Sequence, residues 1–422
     1  MSKKEIAALV PKYRFPEFAD SGPVICENGN LIFEPISNKN HNSDLPVLAI
    51  TQEYGAIPRD EIDYTVSVTE KSLEGYKVVE KGDFIISLRS FQGGIEYSVY
   101  HGICSPAYII LRKKIDIEEQ YYRHYFKSYR FIRDLNKDLE GLRDGKMVSY
   151  SQFSAILLPK PDKKEQQKIA DCLSSIDDLI VAEDKKLSTL RAHKNGLMQK
   201  LFPDEGKTLP EWRFHEFKDS GEWEEKTLDS FFSIGSSKRV LQENWTDKGV
   251  PFYRTRELVS LSKGEPFGSE IFISEQLYSE LAKTYGLPTE GDFLVSGVGT
   301  LGICYQVKKE DKFYFKDGNV LWFKLNQGLW SSFFKYCFQS DYIQNQIFNQ
   351  TSKSTVGTYT IQNAKRTKML YTKNILEQQK ISDCLSYVDN LISAQAKRIE
   401  VLKQHKKALI QGLFPSIEEV EE

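Results

Sequence analysis

The chain has 422 residues, 40% of them hydrophobic and 27% charged, which suits a globular, soluble protein of two or three packed domains. A net charge of −2 excludes a protein that is basic all over, so any nucleic-acid surface must concentrate its cations locally. No apolar run approaches the roughly 18 residues of a membrane span, and the opening MSKKEIAALV lacks the apolar core of a secretory signal. The expectation is a cytoplasmic protein with no membrane segment.

The first half begins with a turn-rich motif, PKYRFPEFADSG, from Pro11 to Gly22. Short β-branched and aromatic runs follow at Pro46 (PVLAI), Tyr76 (YKVV), Asp83 (DFIIS) and Ala107 (AYIIL), and they predict strands. Aromatic-rich helical sequence from Glu118 to Leu135 comes next, then Gly145. The run from Glu165 to Pro203 reads as one long helix, with Asp162 as N-cap, Glu165 three residues on in the capping-box position and Pro203 as its stop.

The second half repeats this plan. PEWRFHEFKDSG, from Pro210 to Gly221, shares 8 of 12 residues with the first motif, and TEGDFLVS (Thr289–Ser296) answers EKGDFIIS (Glu80–Ser87). Strands are predicted at Pro251 (PFY), Asp292 (DFLVS) and Val320 (VLWFKL), then aromatic helical sequence from Gly328 to Phe348, then Gly357. A second long helix, capped by Asn374 with Glu377 behind it, runs to Pro415, and Glu418, Glu419, Glu421 and Glu422 form an acidic tail. Over 39 ungapped positions the two long helices share 22 identities, while the sequence between them is far less alike. A period of that length is no solenoid, whose repeats run about 20 to 50 residues, so the chain is an internal duplication of a whole domain.

In the first long helix Ile169, Leu173, Ile176, Ile180, Leu187, Leu190, Leu197 and Leu201 fall on alternating spacings of four and three, with Glu183 and Lys194 as polar interruptions. Ile381, Leu385, Val388, Ile392, Ile399, Leu402, Leu409 and Leu413 repeat the seam, interrupted at Gln395 and Lys406. Such a heptad seam predicts a coiled coil, and the partner at hand is the other copy, running antiparallel. One register sets Leu187 against Leu402, Leu190 against Ile399, Glu183 against Lys406 and Lys194 against Gln395. The alternative is that each helix packs onto its own domain.

The expected fold is therefore α+β: two homologous mixed domains joined by two long helices in an antiparallel coiled coil, with pseudo-twofold symmetry. The segments are 1–160 (first domain), 161–205 (first helix), 206–372 (second domain) and 373–422 (second helix and acidic tail).

Catalytic chemistry is hard to find. Gly297, Gly299 and Gly302 form a G-x-G-x-x-G after a strand, but the sequence that follows alternates like another strand, so a tight turn is expected instead of a cofactor loop. The six histidines show no paired metal-ligand spacing, and His193 and His405 are repeat equivalents expected to face solvent. The six cysteines include no C-x-x-C and read as reduced structural thiols. Cations in loops beside hydroxyls and aromatics suit both phosphate contacts and base-edge reading; each taken singly reads first as surface charge, and they gain weight as a set repeated in both halves: Arg59, Arg89 and Lys146 in the first, Lys238, Arg239, Arg254, Arg256 and Lys353 in the second.

Two divergent halves separated by near-identical helices, with EQQKI openings, LFP closings and paired PxxRFxEF motifs, resemble the specificity subunits of type I restriction-modification enzymes. The helix start Pro161–Ile169 follows a P-x-x-x-E-Q-x-x-I pattern, from which the second copy departs only by Lys373 where Pro161 stands. The resemblance implies target-recognition domains that each read half of an asymmetric bipartite site in double-stranded DNA. It also implies docking of adenine methyltransferase subunits on the helices, and restriction and translocation by a motor subunit. S-adenosylmethionine, ATP and magnesium would then belong to the partners, and this chain would bind no cofactor or metal and catalyse nothing alone. The competing reading is a non-enzymatic scaffold, two lectin-like or peptide-binding heads on a coiled-coil spacer.

Overall fold

The computed structural model describes residues 9–42, 44–62, 73–137, 148–264, 267–326, 328–351 and 357–415. The chain divides into two compact units, Met1–Lys185 with Ala396–Glu422, and Lys186–Gln395. Each long helix is thus shared: its first part belongs to one unit and its last part to the other.

In the first unit a four-stranded antiparallel sheet runs in the order Phe33–Ile36, Ile109–Lys113, Phe84–Ile86, Glu96–Tyr97. In the second the order is Phe232–Ser236, Val320–Leu325, Phe293–Ser296, Cys304–Gln306, again antiparallel. Each sheet has a separate two-stranded companion that brings the chain in and out of the domain, Ile25–Asn28 with Leu157–Lys160 and Glu224–Thr227 with Lys368–Tyr371. The predicted strands lie where their β-branched and aromatic runs placed them.

The EKGDFIIS and TEGDFLVS repeats supply the central strand and the turn before it. Asp83 accepts the Glu80 backbone N–H at 2.8 Å and Asp292 that of Thr289 at 3.0 Å. Gly82 and Gly291 take φ of 96° and 89°, the left-handed region that favours glycine.

The aromatic helical sequence differs from expectation. Each stretch is two helices, Glu119–Tyr125 and Tyr129–Asn136, then Ser331–Gln339 and Asp341–Thr351. Ser128 lies in the break and caps the second helix, accepting the Phe131 N–H at 3.2 Å, and Ser340 occupies the equivalent break. Serine competes for backbone bonds in a helix interior and is favoured at caps.

The long helices span Lys163–Leu201 and Ile375–Leu413, and every seam position named above is buried or half-buried. Their terminal residues do not stay with the domain that precedes them. Leu413 and Phe414 are buried in the first unit, where the Phe414 ring lies 5.1 Å from Tyr121 and 5.3 Å from Tyr125. Leu201 and Phe202 are buried in the second, with Phe202 at 6.0 Å from Trp223 and 5.6 Å from Phe333. The LFP motif is therefore an anchor.

Within the first unit Asp177 meets Lys406 at 2.7 Å and Glu183 meets Arg398 at 2.9 Å, so the paired segments run antiparallel. Within the second, Lys194 meets Asp389 at 2.7 Å. The anticipated pairs of Glu183 with Lys406 and Lys194 with Gln395 are not these, and the register is displaced by about one heptad. The observed register gives the repeat-equivalent lysines Lys194 and Lys406 the repeat-equivalent aspartates Asp389 and Asp177. The expected one left Lys194 opposite an uncharged glutamine.

Candidate nucleic-acid interface

The two motifs that recur most closely are bound to each other. Asp162 and Asn374 do cap the long helices, accepting the N–H groups of Lys164 at 2.8 Å and Leu376 at 3.0 Å. The capping box, however, is not closed by glutamate. Glu165 takes two guanidinium N–H bonds from Arg14, both at 2.7 Å, and Glu377 takes two from Arg213 at 2.6 and 2.7 Å. A buried carboxylate does better with a bidentate arginine than with one backbone amide, and at Asn374 that amide donates to Thr372 Oγ1 at 3.2 Å instead.

The next residues of EQQK follow suit. Gln166 Oε1 accepts the Glu118 N–H at 3.0 Å and Gln378 Oε1 that of Trp330 at 2.7 Å, tying each helix to the start of the aromatic pair. Lys168 lies over Phe15 and pairs with Glu17, while Lys380 lies over Phe214 and pairs with Glu216. RFxEF and EQQK thus interlock, and these constant residues are occupied in structure.

At the Asp177 pair, burial together with Lys406 and Arg123 pushes His124 down to about 3. His124 is therefore neutral and accepts or donates with Ser174 at 3.1 Å, leaving the Asp177 carboxylate, 3.9 Å away, to Lys406. The second unit has Tyr336 in this place, donating to Asp389 at 2.8 Å.

The inserts between the framework strands are where the halves part company. The first carries a hairpin, Leu48–Thr51 with Gly55–Pro58, and a second strand pair, Lys77–Val79 with Gly102–Cys104. The second carries a small sheet ordered Trp245–Thr246, Phe272–Ile273, Val250–Tyr253, Tyr314–Phe315, and two helices, Thr255–Lys263 and Glu275–Tyr285.

In the second unit the parallel strands Val250–Tyr253 and Tyr314–Phe315 deliver Arg254–Arg256 and Lys316–Gly318 to one end. The Gly318 N–H donates to Ser236 Oγ at 3.1 Å, and Arg239 stands 3.7 Å from Asp317. The Gly297–Gly302 segment is a turn between antiparallel strands, as expected, and its Gly299 approaches Thr255 while Val298 bridges to Thr358. Loops from five separate stretches converge here. Lys238 lies 5.5 Å over the exposed Tyr285 ring, at the mouth of a 260 Å³ recess lined by Tyr314, Phe315 and Trp322.

The candidate cations of this half are not equivalent. Lys238 and Arg239 are exposed, with Asp317 beside Arg239, whereas half-buried Arg254 and exposed Arg256 are both ion-paired with Glu257 and Glu270. In the first unit exposed Arg89 sits in the matching framework turn, and its carbonyl accepts Gln52 Nε2 at 3.0 Å from the hairpin tip, beside exposed Tyr54. Arg59 is half-buried at the opposite end of that hairpin, its N–H bonded to the Val47 carbonyl. The structure does not gather Arg59 with Arg89. Lys146 and Lys353 lie outside the described residues, as does the acidic tail. Sequence reasoning missed Gln52, Tyr54, Lys316 and the two carboxylates; only the three-residue spacing of Arg254 and Glu257 offered a local signal.

One framework built twice, presenting different loops each time, defines a duplicated protein whose two units share a core and differ in their inserts. The family described as type I restriction modification DNA specificity domain matches residues 19–192 and 220–404. Curated relatives include the type I restriction enzyme MjaVIII specificity subunit of Methanocaldococcus jannaschii, 24% identical over 367 residues, with 83% of this chain and 81% of the relative covered. Another is the putative specificity subunit S.HindORF215P of Haemophilus influenzae, 22% identical over 312 residues, with 72% and 74% covered. Among solved structures, the type I S subunit from M. genitalium superposes with a TM-score of 0.57 at 15% identity, covering 97% of this chain and 100% of that one. A chain from a structure of type I complex assembly and conformational transition gives 0.54 at 15% identity, covering 93% and 94%; both likenesses are of fold. The chain belongs to the type I restriction-modification DNA specificity family.

Proposed function

We propose that the chain is the reading subunit of a type I complex, each unit recognising one half of an asymmetric, interrupted DNA sequence. The observation that carries this reading is the coexistence of an invariant framework with two unrelated inserts. Identical sheet orders hold the loops alike, and different loops select different bases. Two identical heads would favour a palindrome.

The interlocked motifs and long helices are the same in both halves, which suits two copies of one partner, an adenine methyltransferase subunit. Methyl transfer from S-adenosylmethionine takes place on those partners. Cleavage and ATP- and magnesium-dependent translocation fall to a motor subunit. The chain itself works in the cytoplasm as a non-catalytic part of the assembly, without cofactor or metal of its own. Each 39-residue helix rises about 58 Å, and its length sets the unread stretch between half-sites.

The test is a genome-wide map of adenine methylation, with the gene present and deleted and the methyltransferase expressed in both. Loss of one asymmetric, interrupted motif is the expected result. An unchanged map would favour a scaffold with two heads that bind something other than DNA.

A further inference from the structure

Arg256 is 60% exposed in its side chain and stands at the convergent end of the second unit, yet its guanidinium is not free to wander. Its Nε–H points to Glu257 Oε1 at 3.3 Å, and Nη2 donates to Glu257 Oε1 at 3.1 Å and Glu270 Oε2 at 2.7 Å. Glu257 is itself fixed: it is buried, and Arg254 holds it through the backbone N–H at 2.9 Å and Nη2 at 2.7 Å. A guanidinium has five N–H donors in a rigid plane. With the Nε edge turned to carboxylates, Nη1 presents its donors on the side away from them.

The Nε and Nη2 fork is taken by the carboxylates, and the two N–H groups of Nη1 diverge, so Nη1 meets guanine as a lysine ammonium does, one donor atom set between the N7 and O6 acceptors of the major groove. The four charges of Arg254, Arg256, Glu257 and Glu270 cancel, so this cluster has little to offer a phosphate. What the carboxylates provide is direction, which lowers the ordering cost of binding.

We propose that Arg256 reads one guanine in the half-site bound by the second unit, with Glu257 and Glu270 as positioning residues. This rests on the DNA-reading function above.

The experiment uses the full chain with its methyltransferase partner. The methylation motif is determined first, and exchange of residues 210–372 for another such domain shows which half-site belongs to the second unit. Duplexes carrying 7-deazaguanine, which lacks the N7 acceptor, are then substituted at each guanine of that half-site in turn. One position is expected to lower affinity about tenfold or more for the unaltered chain and to be without effect on Arg256→Ala. Arg256→Ala should methylate sites with any base there, with the salt dependence of binding unchanged.

A half-site without a G·C pair, or indifference to every 7-deazaguanine, overturns the proposal without needing a variant that folds. So does an Arg256→Ala chain that keeps its motif and only melts earlier, which would make the cluster an internal brace. Absence of any motif for the unaltered chain would instead overturn the DNA-reading function itself.

Discussion

The framework and the inserts solve opposite problems with the same residue types. In the framework Arg14 and Arg213 are almost entirely buried against carboxylates, and each links two motifs far apart in sequence. In the loops that follow framework strands Arg89, Lys238 and Arg239 are exposed. Arg254 and Arg256 stand between, ion-paired yet open on one side. Burial and partner, more than residue identity, separate a structural cation from one open to a ligand.

The comparison can be broken most forcefully in the framework. Arg213→Ala leaves Glu377 charged and buried without its partner, which should cost about 3–5 kcal/mol. Thermal unfolding should show the loss, and replacing both residues by Met should restore much of it. The half-site read by whatever fraction stays folded should be unchanged; a new motif would mean that framework and insert are not separable.

The His124 site sharpens the difference between the units. Its folded value of about 3 lies below the ordinary histidine value, so the unfolded chain binds the extra proton as pH falls through about 6.5. Stability is then retained above that value and declines between about 6.5 and 3, by about 2 kcal/mol at pH 5. Melting of His124→Gln should lose this part of the pH dependence. The second unit, with Tyr336 in the same place, should lack it, so an unchanged pH profile would contradict the neutral, buried histidine.

Smallest is the effect expected of Arg89→Ala, on the proposal that this exposed cation meets one phosphate. DNA of every sequence should bind more weakly, and the slope of log affinity against log salt should fall by about one. A relaxed base preference with the slope intact would place Arg89 in the reading class with Arg256.

Much of the framework was legible because its patterns are local. Periodic apolar residues, cap residues and terminal prolines set the helix limits, and glycine and aspartate marked the turn before the central strand. The capping box was misjudged because Arg14 and Arg213, more than 150 residues from Glu165 and Glu377, compete for the same carboxylates. The candidate cations were visible as a set, but which of them meet carboxylates was not, since Glu270 lies 14 residues from Arg256 and meets it only through the fold.

By itself the sequence determined that the protein is duplicated, where its long helices begin and end, and which of their faces is apolar. Only the tertiary structure decided their register, because sliding a heptad seam by seven residues keeps every apolar position facing inward and leaves the choice to the ion pairs of Asp177 and Asp389. It also decided that each helix ends in the core of the other unit. Leu413 and Phe414 in one and Leu201 and Phe202 in the other fill space among aromatic rings that belong to distant parts of the chain. Apolar character is written residue by residue, but the cavity it fills exists only once the chain has folded.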